Sequence, residues 1–312
     1  MQLATLTIEN LQIKNNVFLA PLAGYTDYAF RKLLLERGVG LCFTELVSAK
    51  GLMYESQGSK ELLYSGNDYE NTAVQIFGSE PYYMRSACES EYLSPFKIVD
   101  INMGCPVPKV YKNGEGSALL NDIKKAEEII KECKKSGKII TIKIRTGQKK
   151  GDNVASEFAK MAEGAGASLV TIHGRVREDY YSGEPDYSAI ENAKKSVRIP
   201  IIANGGIFTE QDAEKMMNKT GADGIMLARG AISNPFLASA LTNTKVNITL
   251  KDFMLEHVQL MSLRYDNRRA TNEFKKFVPY YFKGIKNVKE LKMQIYGADS
   301  TQNIIDLIKN YF

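Results

Sequence analysis

The chain has 312 residues, 44% of them hydrophobic and 25% charged, enough to bury a sizeable core in one large α/β barrel with or without a small appendage. Its four cysteines, Cys42, Cys88, Cys105 and Cys133, form no CxxC pair, and neither of its two histidines sits at metal-ligand spacing from one of them; no zinc site or disulfide is expected, and a reducing, cytoplasmic compartment fits. The first residues carry no export signal, no apolar run is long enough to cross a bilayer, and a net charge of +5 permits a polyanionic partner without requiring one.

Short runs rich in Val, Ile and Leu, without polar alternation, predict buried parallel strands at 17–22, 41–46, 73–77, 98–102, 139–144, 169–173, 199–203 and 224–228. Helical periodicity fills the intervals at 28–37, 122–135, 155–163 and 211–219, with Gly137 and Gly221 as stop signals. Eight β-then-α units predict a (β/α)8 TIM barrel, because right-handed crossovers let a parallel sheet of that number close on itself. An open doubly wound sheet would need a Gly-rich turn after the first strand, and Pro21-Leu22-Ala23-Gly24 is not one. From residue 250 onward apolar residues recur only at helical spacing, as in Phe253, Leu255, Val258 and Met261, and again in Ile304, Ile305, Leu307 and Ile308. The expected division is a barrel over 1–243 and an all-α domain of three or four helices over 244–312.

In such a barrel the chemistry sits at the C-terminal ends of the strands. Gln75, Asn102, Lys143, Arg145, His173, Arg175, Asn204 and Arg229 all stand at those ends. Singly each has an ordinary explanation, as a loop-closing amide or a cation snorkelling to water; together they converge on one mouth, which a barrel does not need for its stability. Asn204-Gly205-Gly206 and Ala228-Arg229-Gly230-Ala231 follow the last two strands, where barrels hold a phosphate on backbone N–H groups and where Arg229 can add a charge-assisted fork. A phosphate there would leave its organic part facing Gln75, Lys143 and His173, an arrangement that flavin mononucleotide (FMN) fits. Schiff-base chemistry of Lys143 on a phosphorylated sugar explains the same loops but leaves Cys105 without work. Cys105, in VDINMGCPVP, could on its own be a small core residue among apolar neighbours.

The stretches APLAGYTDYAFR (20–31), QIFGSEP (75–81), DINMGCPVPKV (100–110), TIKIRTG (141–147), IHGRVREDYYSGEPDY (172–187), IANGGI (202–207) and GIMLARGAISNP (224–235) resemble the tRNA-dihydrouridine synthases, in unbroken order over almost the whole barrel. NEFKKFVPYYFKG (272–284) resembles the RNA-recognition domain of that family. The resemblance implies a flavoprotein that uses NADPH, or NADH, to reduce the C5 to C6 double bond of specific uridines in tRNA. Hydride would pass from flavin N5 to C6 and a proton from Cys105 to C5. A thiol suits that part, since its reference pKa of about 8.5 leaves it mostly protonated at neutral pH, and Pro106 and Pro108 stiffen its loop.

By the same resemblance Pro21, Leu22 and Ala23 lie against the flavin, while Gln75, Lys143 and His173 meet its ring or ribityl chain. Asn204, Gly205, Gly206, Ala228 and Arg229 hold its phosphate, Asn102 holds the target uracil, and Arg175 lies beside the substrate nucleotide. The family often has Asp at the position of Gly206, Gly at that of Ala228 and Thr at that of Val176. tRNA is the expected partner, tracked by Lys109, Lys112, Arg175 and Arg177 near the mouth and by Arg268, Arg269, Lys275 and Lys276 in the helical region. The protein is expected to be a cytoplasmic monomer that binds neither metal nor membrane. A small-molecule flavin reductase of the dihydroorotate dehydrogenase type and an RNA-binding protein without catalysis are the alternatives.

Overall fold

The computed structural model describes residues 4–312. Strands β1 (Leu6–Ile8) and β2 (Leu11–Ile13) pair as an antiparallel hairpin. Leu6, Ile8 and Ile13 from the hairpin cluster with Ile98, Ile139 and Leu169, each at the start of its strand, so the hairpin stoppers the N-terminal end of the barrel. Three-residue strands are too short to print a period in the sequence, and this hairpin was not among the expected elements.

The barrel is built from β3 (Val17–Leu19), β4 (Leu41–Phe43), β5 (Val47–Ser48), β6 (Thr72–Phe77), β7 (Ile98–Met103), β8 (Ile139–Gly147), β9 (Leu169–Val176), β10 (Ile201–Asn204) and β11 (Gly224–Leu227). Neighbours run β4-β3-β11-β10-β9-β8-β7-β6-β5, and a β4 to β6 pairing closes the ring. Every pairing within the ring is parallel, as predicted for a closed eight-unit barrel. The second expected strand, at 41–46, stops early as β4, and after a break β5 begins at Val47, just past its expected end; both pair with β6. The break has a local cause: the Thr44 hydroxyl accepts from the Gln75 N–H at 3.1 Å and donates to the Glu45 carbonyl at 2.9 Å. A side chain thus replaces the ladder and fixes Gln75 beside the mouth. Strands β8 and β9 run past their expected ends, which carries Arg145 and Arg175 on the strands themselves.

The helices begin and end where short polar residues and glycines stand. Asp27 caps Tyr28–Glu36 through the Phe30 N–H, Asp122 caps Ile123–Lys134 through the Lys125 N–H, and Thr209 with Asp212 forms a capping box on Glu210–Thr220. That last helix stops at Gly221, whose φ of 60° an L side chain rarely adopts. Helices Pro81–Glu89 and Tyr187–Ser196 complete units whose helices the sequence reading did not specify.

Beyond β11 the described residues contain no strand. The C-terminal region holds helices Leu250–Arg264, Asn267–Lys275, Val278–Tyr281, Lys289–Gly297 and Thr301–Tyr311, one more than the largest expected number because Val278–Tyr281 is a four-residue turn of its own. These helices pack on Tyr28–Glu36, with the Phe30 ring 5.3 Å from Phe277 and 5.7 Å from His257. Their apolar residues join the same buried cluster as the outer faces of the barrel strands. Among the described residues no helix is long and apolar enough to cross a membrane.

Candidate active site

Pro21, Leu22, Ala23, Gln75, Asn102, Cys105, Lys143, His173, Arg175, Asn204, Gly205, Gly206, Ala228 and Arg229 all line one cavity at the C-terminal mouth of the barrel. The residues that the sequence reading assigned to the site are therefore brought together. Arg145, noted at its strand end but given no role, lines it too, as do Leu46, Tyr181, Phe208 and Met226, which lie in loops or apolar runs that carry no polar signal.

The floor is a hydrogen-bonded series. Asp100, fully buried, accepts from Thr141 Oγ1 at 2.6 Å and from Gln75 Nε2 at 2.6 Å. Gln75 Oε1 accepts from Asn102 Nδ2 at 2.8 Å, and Asn102 Oδ1 accepts from the N–H groups of Cys105 at 2.9 Å and Gly104 at 3.2 Å. Burial raises the Asp100 carboxyl to about 6, so at neutral pH it remains mostly an acceptor.

Above the floor the cations crowd. Lys143 donates to Asn204 Oδ1 at 3.1 Å, and Asn204 Nδ2 donates to the Met226 carbonyl at 2.7 Å. Burial, helped by the nearby Arg145, lowers the Lys143 ammonium to about 8. His173, 8% exposed, is held well below the usual imidazole range by burial first and then by Lys143, Arg145, Arg175 and Arg229. Arg175 lies 3.2 Å from His173 Nε2 and donates to the carbonyls of Ser182 and Gly183, while Arg145 donates to those of Gly104, Val176 and Tyr180. Arg229 reaches the Tyr181 carbonyl at 3.3 Å and stacks 4.7 Å from that ring. Asp100 beneath, and the half-buried Asp179 whose charge acts on Arg145 and Arg175, face Lys143, Arg145, Arg175 and Arg229, an environment that favours an anionic ligand.

The loop after β10 supplies the space for such a ligand. A Cβ on Gly205, at φ 119°, would stand 2.9 Å from His173 Cδ2 and 3.0 Å from an Arg175 nitrogen, so only glycine lets the chain pass. Gly206, at φ 69°, has the same requirement, whereas Ala228 at φ −127° tolerates its side chain. The helix Arg229–Ser233 begins at the mouth, and the first N–H groups of a helix have no partner within it.

Cys105 is the cysteine that the cavity reaches. Cys42, Cys88 and Cys133 are at most 1% exposed in the apolar core, whereas Cys105 is partly exposed beside Asn102. Burial pushes its thiol above the ordinary value against the pull of the Val107 N–H, Arg145 and Lys143. Its carbonyl accepts from both the N–H and the hydroxyl of Ser117, at 3.1 and 2.8 Å. Among the described residues no group of three His, Cys, Asp or Glu is placed to hold a metal ion.

The cations expected to follow a polyanion divide. Arg269 pairs with Glu61 at 2.5 Å, Lys276 with Glu273 at 2.5 Å, Lys275 donates to the Ala298 carbonyl at 2.6 Å and Arg177 stacks 3.7 Å from the Tyr111 ring. Lys109, Lys112 and Arg268 are exposed.

Residues 18–309 match the sequence model of the family described as Dihydrouridine synthase (Dus). The chain is 36% identical over 289 residues to tRNA-dihydrouridine synthase B of Pasteurella multocida (strain Pm70), covering 89% of this chain and 87% of that one. It is 34% identical to a probable tRNA-dihydrouridine synthase of Rickettsia bellii (strain RML369-C), over 91% of each chain. Among solved structures, histamine dehydrogenase from Rhizobium sp. 4-9 superposes with a TM-score of 0.61 at 14% identity, over 82% of this chain and 50% of that one. The old yellow enzyme homologue from Zymomonas mobilis superposes with a TM-score of 0.55 at 13% identity, over 78% and 93%. These two likenesses are of fold.

Proposed function

The chain belongs to the dihydrouridine synthase family, and on that premise we propose that its barrel mouth binds FMN, draws electrons from NADPH and reduces the C5 to C6 bond of uridines in tRNA. It is a flavin-dependent oxidoreductase of the tRNA-dihydrouridine synthase type. The observation that carries the site assignment is the ring of Lys143, Arg145, Arg175 and Arg229 around one cavity with the buried Asp100 beneath it. That donor set fits a phosphorylated flavin. Gly205, Gly206, Ala228 and Arg229 offer backbone N–H groups and a guanidinium to its phosphate, Pro21, Leu22 and Ala23 a wall for its ring, and Gln75, Lys143 and His173 polar partners.

When bound, the flavin supplies the hydride that reaches C6 of the uracil. The chain's own residues do the rest. Asn102 has one amide N–H committed to Gln75 and its oxygen committed to the Cys105 loop, so it offers the remaining N–H to a uracil carbonyl, where negative charge develops. Cys105, kept protonated by burial, delivers the proton to C5. Lys143 sits beside Asn204 as a cation of lowered affinity for its proton, suited to a ring that becomes anionic on reduction. Residues 244–312 recognise the tRNA, with Arg268 joined by Lys109 and Lys112 across the mouth, and the protein works as a cytoplasmic monomer.

Replacing Cys105 by Ala tests the reading. The variant should hold flavin and oxidise NADPH as before while dihydrouridine formation drops by about a hundredfold or more. Undiminished dihydrouridine formation would remove Cys105 from the mechanism.

A further inference from the structure

Asp100 takes no chemical step in the function proposed above, yet this fully buried carboxylate lies beneath the mouth and terminates a series of hydrogen bonds that ends at the catalytic thiol's own loop. The direction of every link is dictated from both ends. At one end an ionised carboxylate can only accept, so Gln75 must turn its Nε2 toward Asp100 and its Oε1 toward Asn102. At the other end the backbone N–H groups of Gly104 and Cys105 can only donate, so Asn102 must turn its Oδ1 toward the loop and its Nδ2 toward Gln75. The two requirements meet at the Gln75 to Asn102 bond of 2.8 Å and agree. Thr141, donating to the second oxygen of Asp100, keeps that carboxylate from turning.

We propose that Asp100 is a positioning residue that acts through Gln75 and Asn102 to lock the loop carrying Cys105 and to make Asn102 a donor toward the substrate. It touches neither substrate nor cofactor. Its effect follows from geometry: Asp100, Gln75 and Asn102 lie at or near complete burial, where an unpaired amide is not compensated by water. Without the acceptor at position 100, Gln75 Nε2 loses its partner, the amide is free to rotate, and Asn102 loses the reason to hold the Gly104 and Cys105 N–H groups. The substrate half of this inference rests on the uridine reduction proposed above, and the loop half does not.

The experiment measures alkylation of Cys105 by iodoacetamide in flavin-free protein, where Cys42, Cys88 and Cys133 are buried and do not compete. Asp100→Leu removes the acceptor at similar size, and the rate should rise by about tenfold, the scale of one lost charge-assisted hydrogen bond. Asp100→Asn keeps an oxygen for Gln75 while its amide nitrogen faces the Thr141 hydroxyl, so the rate should stay within about twofold of the parent. With flavin restored, Asp100→Leu should lower kcat for dihydrouridine formation and leave KM for tRNA unchanged. Gln75→Leu cuts the same series one link later; should Asp100→Leu not fold, it carries the test, with the same rise expected. The double variant Asp100→Leu/Gln75→Leu should react no faster than either single variant, because one series is broken once. An unchanged alkylation rate in the Leu variants, or an Asn variant as reactive as Asp100→Leu, would overturn the proposal. A parent protein that makes no dihydrouridine would overturn the function and leave the alkylation result to judge the relay.

Discussion

The chain has two histidines, and they mark two regions built on opposite principles. His173 stands in the mouth and His257 in the seam between helix Tyr28–Glu36 and the C-terminal helices. Both are buried and both are held below the usual imidazole range, yet the causes differ. For His257, lowered to about 3, burial is the whole cause: it is ringed by Phe30, Phe253, Phe274, Phe277 and Tyr281, and its Nδ1 lies 2.8 Å from the Tyr281 hydroxyl. For His173 burial comes first and four cations add to it. The seam is packed by rings, and of the two His257 nitrogens only Nδ1 has a hydrogen-bond partner among the described residues. The mouth gathers Lys143, Arg145, Arg175 and Arg229 around one cavity, an arrangement that favours an anionic ligand.

The largest separation of the two regions should come from the seam. Phe277→Ala, deleting a ring 4.6 Å from His257 and 5.4 Å from Tyr25, should lower the unfolding free energy by about 3–5 kcal/mol in denaturant titrations and leave flavin affinity of the folded fraction unchanged. Arg229→Ala should do the reverse: flavin affinity, followed by fluorescence, falls by the about 1.5–3 kcal/mol of a charge-assisted contact, while stability without flavin shifts by no more than about 0.5 kcal/mol. A large stability loss in Arg229→Ala would blur the division.

The next effect is a pH dependence. Below an unfolded-state value of about 6.5 the unfolded chain takes up a proton at His257 that the folded chain, at about 3, refuses. Stability is therefore full above that value and falls with acid, by about 1.4 kcal/mol per pH unit from this group between the two values. His173 adds in the same direction in flavin-free protein. Denaturation between pH 5 and 7, repeated with His257→Phe, should show a shallower slope in the variant; equal slopes would mean that His257 is not neutral in the fold. The smallest effect belongs to the outer surface. Arg268→Ala should weaken tRNA binding by less than about 1 kcal/mol, and the difference from the parent should shrink as salt rises.

How much of this was legible in the sequence follows from the length scale of each signal. Buried parallel strands such as Ile98–Met103 and Ile139–Gly147 write continuous apolar runs, and a polar residue at the end of such a run stands out, which is why Asn102, Lys143 and His173 could be placed at the mouth. The hairpin of β1 and β2 and the two-residue β5 are too short to leave a pattern. Asp100 was read only as part of a motif, since what it does depends on facing Gln75 from the next strand, a register that no single stretch contains. Tyr181 and Phe208 enter the site because loops fold back over it, and exposed aromatics in loops carry no sequence signature of that. The engagement of Arg269, Lys275 and Lys276 by neighbours within the fold likewise needed three dimensions.

The claim that the mouth is built for an anion and the seam for packing is tested most directly by following both histidine rings by NMR through a pH titration with and without FMN. FMN, as it brings negative charge beside the cations that depress His173, should change the titration of that ring and leave His257 neutral and unmoved. A His173 ring indifferent to saturating FMN, or a His257 ring that shifts with it, would refute the division between mouth and seam.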